Sequence, residues 1–224
     1  MFLDNLPWLA EDKQPRLSDR ALATAILFDQ CPGGDTEAAL RALVETPPNM
    51  GLSYPCNAGW RYWALARMGR ADVILRDFRS RWATMRSVIE NNTLQETWNV
   101  QSDALSQWSH CPLAPIFVLY QDIVGLRPVA PGFAQLQLRP QLGDLPDLEV
   151  VAHTPRGPVE FHAKREAGGH RVEVKLPKAC EAELLLPAEA TSPFPALEPG
   201  PLPGVRRYRL PPGGGVFQIP LARP

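Results

Sequence analysis

The chain has 224 residues, 45% of them hydrophobic and 8% aromatic, and a formal net charge of −1. This apolar content supports a buried core and excludes wholesale disorder, and the near-zero charge excludes a strongly basic nucleic-acid-binding surface. Its apolar runs fall far short of the roughly 18 residues that a membrane-spanning helix needs. We therefore expect neither a nucleic acid nor a membrane as partner.

The N-terminal residues and the cysteines indicate where the protein works. The first residues have no basic start and no sustained apolar stretch, so we expect no secretory signal and a cytoplasmic protein. The four cysteines lie far apart without a C-x-x-C pair, which favours ordinary thiols in a reducing compartment. The sequence predicts no metal site and no cofactor.

Composition divides the chain into two regions. All six tryptophans precede residue 110, whereas 19 of the 25 prolines follow it. The hydrophobic period also changes, from helical spacing before about residue 125 to strand-like alternation after it. We therefore predict two domains, residues 1–124 and residues 125–224.

The first region predicts five helices, marked by capping residues and by apolar residues that recur every three or four positions. They cover about 19–31, 35–44, 57–68, 74–89 and 104–124. The fourth has the most regular spacing and is predicted as one continuous helix of about five turns. In the fifth, Pro112 and Pro115 lie either inside the first turns or at the true start.

The second region predicts an antiparallel β-sandwich. Apolar and polar residues alternate over several short segments that are separated by Pro- and Gly-rich turns. The alternating residues are Leu148, Val150 and Ala152; Val159, Phe161 and Ala163; Val172, Val174 and Leu176; Ala182, Leu184 and Leu186; Tyr208 and Leu210; and Phe217 and Ile219.

Candidate chemistry lies in the loop that follows the fourth predicted helix. Glu96 stands two residues before Trp98, so a carboxylate that could activate a water lies beside an indole that could pack on a sugar. The alternative is a solvated glutamate and a core tryptophan. His110 is a second candidate, because an imidazole at a helix start can bind a ligand hydroxyl.

Four stretches of this chain resemble the C-terminal part of bacterial α-L-rhamnosidases of glycoside hydrolase family 78. They are GWRYW at 59–63, TLQETW at 93–98, SH at 109–110 and GLRPVAPGF at 125–133. The resemblance covers about residues 18–176. It implies an α+β multidomain fold, in which a partial (α/α)6 barrel of the six-hairpin type precedes an antiparallel β-sandwich.

The resemblance also implies a reaction, the inverting hydrolysis of terminal α-L-rhamnosides, with a rhamnose-containing carbohydrate as ligand. Such a reaction uses one carboxyl as general acid and another as general base, roughly 6.5–9.5 Å apart. Glu96 matches the general base, and His110 and Trp98 match substrate-binding residues. The acidic, Trp-rich block that carries the family's general acid has no counterpart in residues 1–95.

The missing block and the small number of helices lead to a specific expectation. The chain is expected to be a C-terminal fragment that hydrolyses nothing alone and associates with the upstream part of the same enzyme or with itself. Two alternatives stay open. One is a non-catalytic carbohydrate-binding or structural β-sandwich module, and the other is a related (α/α)6 hydrolase acting on another sugar.

Overall fold

The protein is described by a computed structural model that covers residues 17–190, 192–197 and 204–220. It combines helices and sheets in two compact units, Met1–Val118 and Leu119–Pro224. The domain boundary expected at residues 124/125 thus lies inside the second unit. Within the described part of the chain, no helix is both long and apolar enough to cross a membrane.

The first unit is built from short helices. Its described elements are β1 (Leu17–Ser18), α1 (Asp19–Leu27), α2 (Thr36–Glu45), β2 (Met50–Gly51), α3 (Gly59–Arg67), α4 (Ala71–Asp77), α5 (Arg86–Asn91) and α6 (Ala114–Val118). The first two helices begin where their capping residues predict. The Ser18 hydroxyl accepts from the Ala21 N–H at 3.4 Å, and the Asp35 carboxylate accepts from the Ala38 N–H at 2.9 Å.

The continuous fourth helix is a wrong prediction. A π-helical turn, Phe78–Trp82, follows α4, and the backbone becomes extended at Met85 before α5 begins. The Thr84 hydroxyl donates to the Ser80 carbonyl at 2.9 Å, a side-chain bond that competes with helical pairing. Trp82 and Met85 are nevertheless buried, whereas Ile89 is 71% exposed. The apolar residues thus keep their three- and four-residue spacing although the helix is interrupted at Met85.

The fifth predicted helix is shorter than expected. Only a 3-10 turn, Leu105–Gln107, forms in its first part, and α6 begins at Ala114 with Pro115 in its first turn. The prolines thus mark the true start of this helix. A π-helical turn, Leu119–Ile123, opens the second unit.

The second unit contains eight described strands in two sheets. They are β3 (Leu126–Pro128), β4 (Gln135–Leu138), β5 (Asp147–Thr154), β6 (Gly157–Glu166), β7 (Gly169–Lys175), β8 (Glu181–Pro187), β9 (Val205–Arg209) and β10 (Gly214–Pro220). The sheet orders are β10–β7–β6–β5 and β3–β4–β8–β9. The strand pairs are antiparallel apart from β4–β8, which is parallel.

The alternating residues of the second region form one apolar cluster. Both sheets contribute side chains to it, among them Phe161 of β6, Val172 of β7 and Leu184 of β8, each at most 1% exposed. The six predicted strands are confirmed. The short strands β3 and β4 were not predicted, because three or four residues beside prolines give too little alternation to detect.

The structure explains the first residues of the GLRPVAPGF stretch. Gly125 has φ +77°, and a Cβ there would lie 2.1 Å from the Arg139 carbonyl oxygen, so only glycine fits. The Arg127 guanidinium donates to the buried Asp122 carboxylate. Burial raises the pKa of Asp122 above its ordinary value, and the charge of Arg127 opposes that rise.

Candidate functional site

The loop at 92–99, here called the Glu96 loop, is paired with the segment at 105–110. The Glu96 N–H donates to the Ser106 carbonyl at 3.0 Å, and the Ser109 N–H donates to the Leu94 carbonyl at 3.1 Å. These two bonds hold the loop beside the segment that carries His110. The loop predicted between residues 92 and 99 is confirmed.

A buried glutamine anchors the backbone on both sides of Glu96. Gln95 is 1% exposed, and its side-chain oxygen accepts from the Ser87 N–H on α5 at 3.0 Å. Its side-chain nitrogen donates to the carbonyls of Thr97 at 2.8 Å and Trp98 at 2.9 Å. The amide of Gln95 therefore fixes the course of the loop through the position of Glu96.

A second buried glutamine secures the paired segment. Gln107 accepts from the Asn91 side chain and donates to the Gln101 carbonyl at 2.9 Å. The Thr93 hydroxyl donates to the Gln107 carbonyl at 2.7 Å. Sequence reasoning missed both glutamines, because nothing in a single sequence distinguishes a buried amide from a solvated one.

Glu96 itself lies at an exposed position. Among the described residues, none donates a hydrogen bond to its carboxylate or forms an ion pair with it. The carboxylate thus stands at a fixed place in the backbone with both oxygens open to a water or a ligand. This arrangement suits a group that accepts a proton from water.

Trp98 is half-buried and held on several sides. Its indole N–H donates to the Ser53 carbonyl at 2.9 Å. The Arg81 guanidinium carbon lies 3.9 Å from the ring centroid, within the range of a cation–π contact. The ring of Trp82 packs edge-on at 5.3 Å between centroids. These contacts fix the plane of the indole.

Behind Trp98 lies a buried polar layer. The Trp82 indole N–H donates to the Tyr62 hydroxyl at 2.7 Å, and burial raises the pKa of Tyr62. Arg61, which is 2% exposed, donates to Asp77 at 2.5 Å and to the Leu43 carbonyl at 2.7 Å. Paired charges are retained here because a lone buried charge is strongly unfavourable.

His110 is also exposed and lies at the end of the paired segment. The structure therefore brings together the backbone segments of the three predicted site residues Glu96, Trp98 and His110. It gives them different surroundings: two exposed titratable groups and one half-buried indole whose N–H is already hydrogen-bonded.

Surface depressions occur elsewhere, on the second unit. One of about 690 Å³ is lined by residues that include Asp147, His162 and Lys164, and another of about 500 Å³ by residues that include Glu149 and Glu173. Both lie on the β10–β7–β6–β5 sheet, and neither includes Glu96. Within the described ranges, no group of three or more His, Cys, Asp or Glu side chains is placed to hold a metal ion.

Comparison with known proteins gives a consistent picture. Residues 125–194 match the family model for the bacterial alpha-L-rhamnosidase C-terminal domain. A comparison with curated proteins gives no match.

Several solved structures are similar over most of the chain. The alpha-L-rhamnosidase of Streptomyces avermitilis, complexed with L-rhamnose, gives a TM-score of 0.66 at 20% identity, covering 88% of this chain and 21% of that one. The enzyme of Aspergillus terreus gives 0.64 at 16% identity, covering 91% and 24%. That of Dictyoglumus thermophilum gives 0.63 at 16% identity, covering 89% and 25%.

The resemblance to α-L-rhamnosidases expected from the sequence is thus confirmed. The chain spans between 21% and 25% of the length of these three structures.

Proposed function

We propose that this chain is the C-terminal part of an inverting α-L-rhamnosidase, with a partial (α/α)6 barrel followed by a β-sandwich. The observation that carries the proposal is the anchored Glu96 loop, which presents an open carboxylate beside Trp98 and next to the segment of His110. The similarity to α-L-rhamnosidases over both units supports it.

In the proposed reaction, Glu96 accepts a proton from the water that attacks the anomeric carbon. Inversion requires a second carboxyl, roughly 6.5–9.5 Å away, that protonates the leaving oxygen. Glu90, the other carboxylate of the loop network, lies 3.6 Å from Arg86 and accepts from Ser102 and Gln107, so it is already engaged. We assign the general acid to a part of the enzyme outside this chain.

We assign the sugar contacts to Trp98 and His110. The free surface of the indole suits the apolar face of a deoxy sugar, and the exposed imidazole can exchange hydrogen bonds with hydroxyl groups. L-rhamnose is bound in the Streptomyces avermitilis structure, and rhamnose is the ligand proposed here.

The test measures release of 4-nitrophenol from its α-L-rhamnoside. The chain alone is expected to give no turnover. Together with the upstream part of the same enzyme, a combination here called the assembled enzyme, it is expected to be active. Glu96→Gln in the assembled enzyme should lower kcat by about 100- to 10,000-fold, because the general base is lost. Glu45→Gln, at an exposed glutamate in the last turn of α2, is the matched control and should leave kcat unchanged.

Each other outcome contradicts a stated part of the proposal. Turnover by the chain alone would contradict the external general acid. A carbohydrate-binding module would be favoured if the chain and its Glu96→Gln variant bound rhamnose with the same affinity and the assembled enzyme showed no turnover. Hydrolysis of another glycoside instead would favour a related hydrolase of different specificity.

A further inference from the structure

We propose that Asp19, at the start of α1, is a positioning residue for the Glu96 loop and acts through Ser53 and Trp98. This inference rests on the proposed function, because it concerns how the water-activating carboxylate is held. It assigns a role in the site to a helix that contributes none of the three predicted site residues.

The first step is the carboxylate of Asp19, which is 2% exposed. Its two oxygens each lie 3.0 Å from the Ser53 backbone nitrogen, and one accepts from the Ser53 hydroxyl at 2.7 Å. All the hydrogen bonds that it makes with described side chains and backbone go to this one serine. Burying a carboxylate is unfavourable unless it accepts enough hydrogen bonds. The fact that Asp19 bonds only to Ser53 among these groups therefore suggests that the position of Ser53 matters.

The second step is the carbonyl of Ser53. Because Asp19 fixes both the backbone N–H and the hydroxyl of Ser53, the orientation of this residue is set from one side. Its carbonyl oxygen accepts the indole N–H of Trp98 at 2.9 Å, 45 positions further along the chain. The direction of that carbonyl therefore determines where the indole edge lies.

The third step runs from Trp98 back to Glu96. The Trp98 carbonyl accepts from the Gln95 side chain at 2.9 Å, and Gln95 directly precedes Glu96. The chain of bonds is thus Asp19, Ser53, Trp98 and Gln95, and it ends at the backbone of Glu96. A displacement of Ser53 would pass to the indole plane and to the loop together.

This chain of hydrogen bonds from Asp19 to Gln95 is here called the relay. Asp19→Asn tests it with almost no change in side-chain volume. The amide keeps one accepting oxygen but presents an NH₂ group to the donors of Ser53, so the two-oxygen clamp is lost. Asp35→Asn is the matched control, because Asp35 caps α2 at an exposed position with one bond to Ala38, and asparagine caps equally well.

The first experiment uses the chain alone and ¹⁵N–¹H spectra of the indole groups. The Trp98 resonance is identified by its loss in Trp98→Phe. In Asp19→Asn it should shift as its hydrogen bond to Ser53 weakens, whereas in Asp35→Asn it should stay in place. An unchanged Trp98 resonance in a folded Asp19→Asn chain would overturn the relay, and this readout does not depend on any sugar.

The second experiment is a double-mutant cycle in the assembled enzyme. Asp19→Asn should lower kcat/KM by about tenfold to 100-fold, the loss expected from a small misplacement of a reacting group. In a Trp98→Phe background, which has no indole N–H, the same change should have little further effect. Equal fold-losses in both backgrounds would show that Asp19 does not act through the indole N–H of Trp98, and this would overturn the proposal. An inactive assembled enzyme would contradict the proposed function and leave the indole spectra to decide the relay.

Discussion

The described parts of the two units bury polar side chains to different extents. The second unit encloses one apolar cluster between two sheets, and the large exposed apolar residues in its described part are Val129, Val151 and Val216. The described part of the first unit buries Asp19, Arg61, Asp77, Ser87, Gln95 and Gln107, and it exposes larger apolar groups. These include Leu105 at 91% and Ile89 at 71% exposure.

This difference shows that the two units depend on different interactions for their structure. Regular strands need only alternation to form a stable core, and the described part of the second unit buries two polar residues, Asp122 and His170. The first unit uses hydrogen bonds to fix irregular loops, because apolar contacts are not directional and would not select one loop conformation. The candidate site lies in the unit where directional bonds determine the backbone.

The largest expected effect tests the apolar core of the second unit. Phe161→Ala should lower the free energy of unfolding by about 4 kcal/mol, because the ring is 1% exposed and its removal leaves a cavity. Urea denaturation followed by far-ultraviolet circular dichroism measures it. Val151→Ala, on the exposed side of neighbouring β5, is the control and should change the value by about 0.5 kcal/mol or less. Equal losses would contradict the burial assigned to Phe161.

The next effect tests the polar interior of the first unit. Asp77→Ala should lower the free energy of unfolding by about 3 kcal/mol, because it leaves the buried Arg61 guanidinium without its partner. Tryptophan fluorescence during urea denaturation reports it, since all six tryptophans precede residue 110. Arg61→Met combined with Asp77→Leu should recover most of the loss. A double variant as unstable as Asp77→Ala would show that the charges themselves are needed.

These differences also explain how far the sequence could be interpreted. Six strands of the second unit, β5 to β10, were predictable because each depends on residues two positions apart, as in Val159, Phe161 and Ala163. The caps Ser18 and Asp35 were predictable for the same local reason. The break after Trp82 was not, because a π-helical turn and a short extended link keep apolar residues at helix-like spacing.

The candidate site was predictable only in part. The proximity of Glu96 and Trp98 in the sequence pointed to the loop, and the position of His110 at a predicted helix start made it a second candidate. Some of the contacts that hold the loop could not be predicted because they join distant residues: Asp19 and Ser53 are 34 positions apart, and Ser53 and Trp98 are 45 positions apart. Such bonds leave no periodic signal in a single sequence.

A third effect concerns the exposed apolar surface of the first unit. If the chain self-associates through that surface, Leu105→Ser should raise the dissociation constant about tenfold or more, since burying a leucine contributes about 1.5–3 kcal/mol. Sedimentation velocity over a range of concentrations measures it. Val216→Ser, on the second unit, is the control and should leave the constant unchanged. A chain that stays monomeric at every concentration would contradict the self-association.

The smallest effect is an ion pair on the surface of the first unit. Arg70 donates to both carboxylate oxygens of Asp72, at 2.9 and 2.8 Å, and this contact lowers the pKa of Asp72 below its ordinary value of 3.8. The folded state therefore binds the Asp72 proton more weakly than the unfolded state does. The pair thus stabilises the fold above pH 3.8 and loses its effect as the pH falls.

Because the Asp72 side chain is 58% exposed, Asp72→Asn should lower the free energy of unfolding by only about 0.5 kcal/mol at neutral pH. Urea midpoints of the two proteins should converge as the pH falls below 3.8 and Asp72 becomes protonated in the folded state as well. A gap that widens there would mean that the carboxylate is held by something other than Arg70.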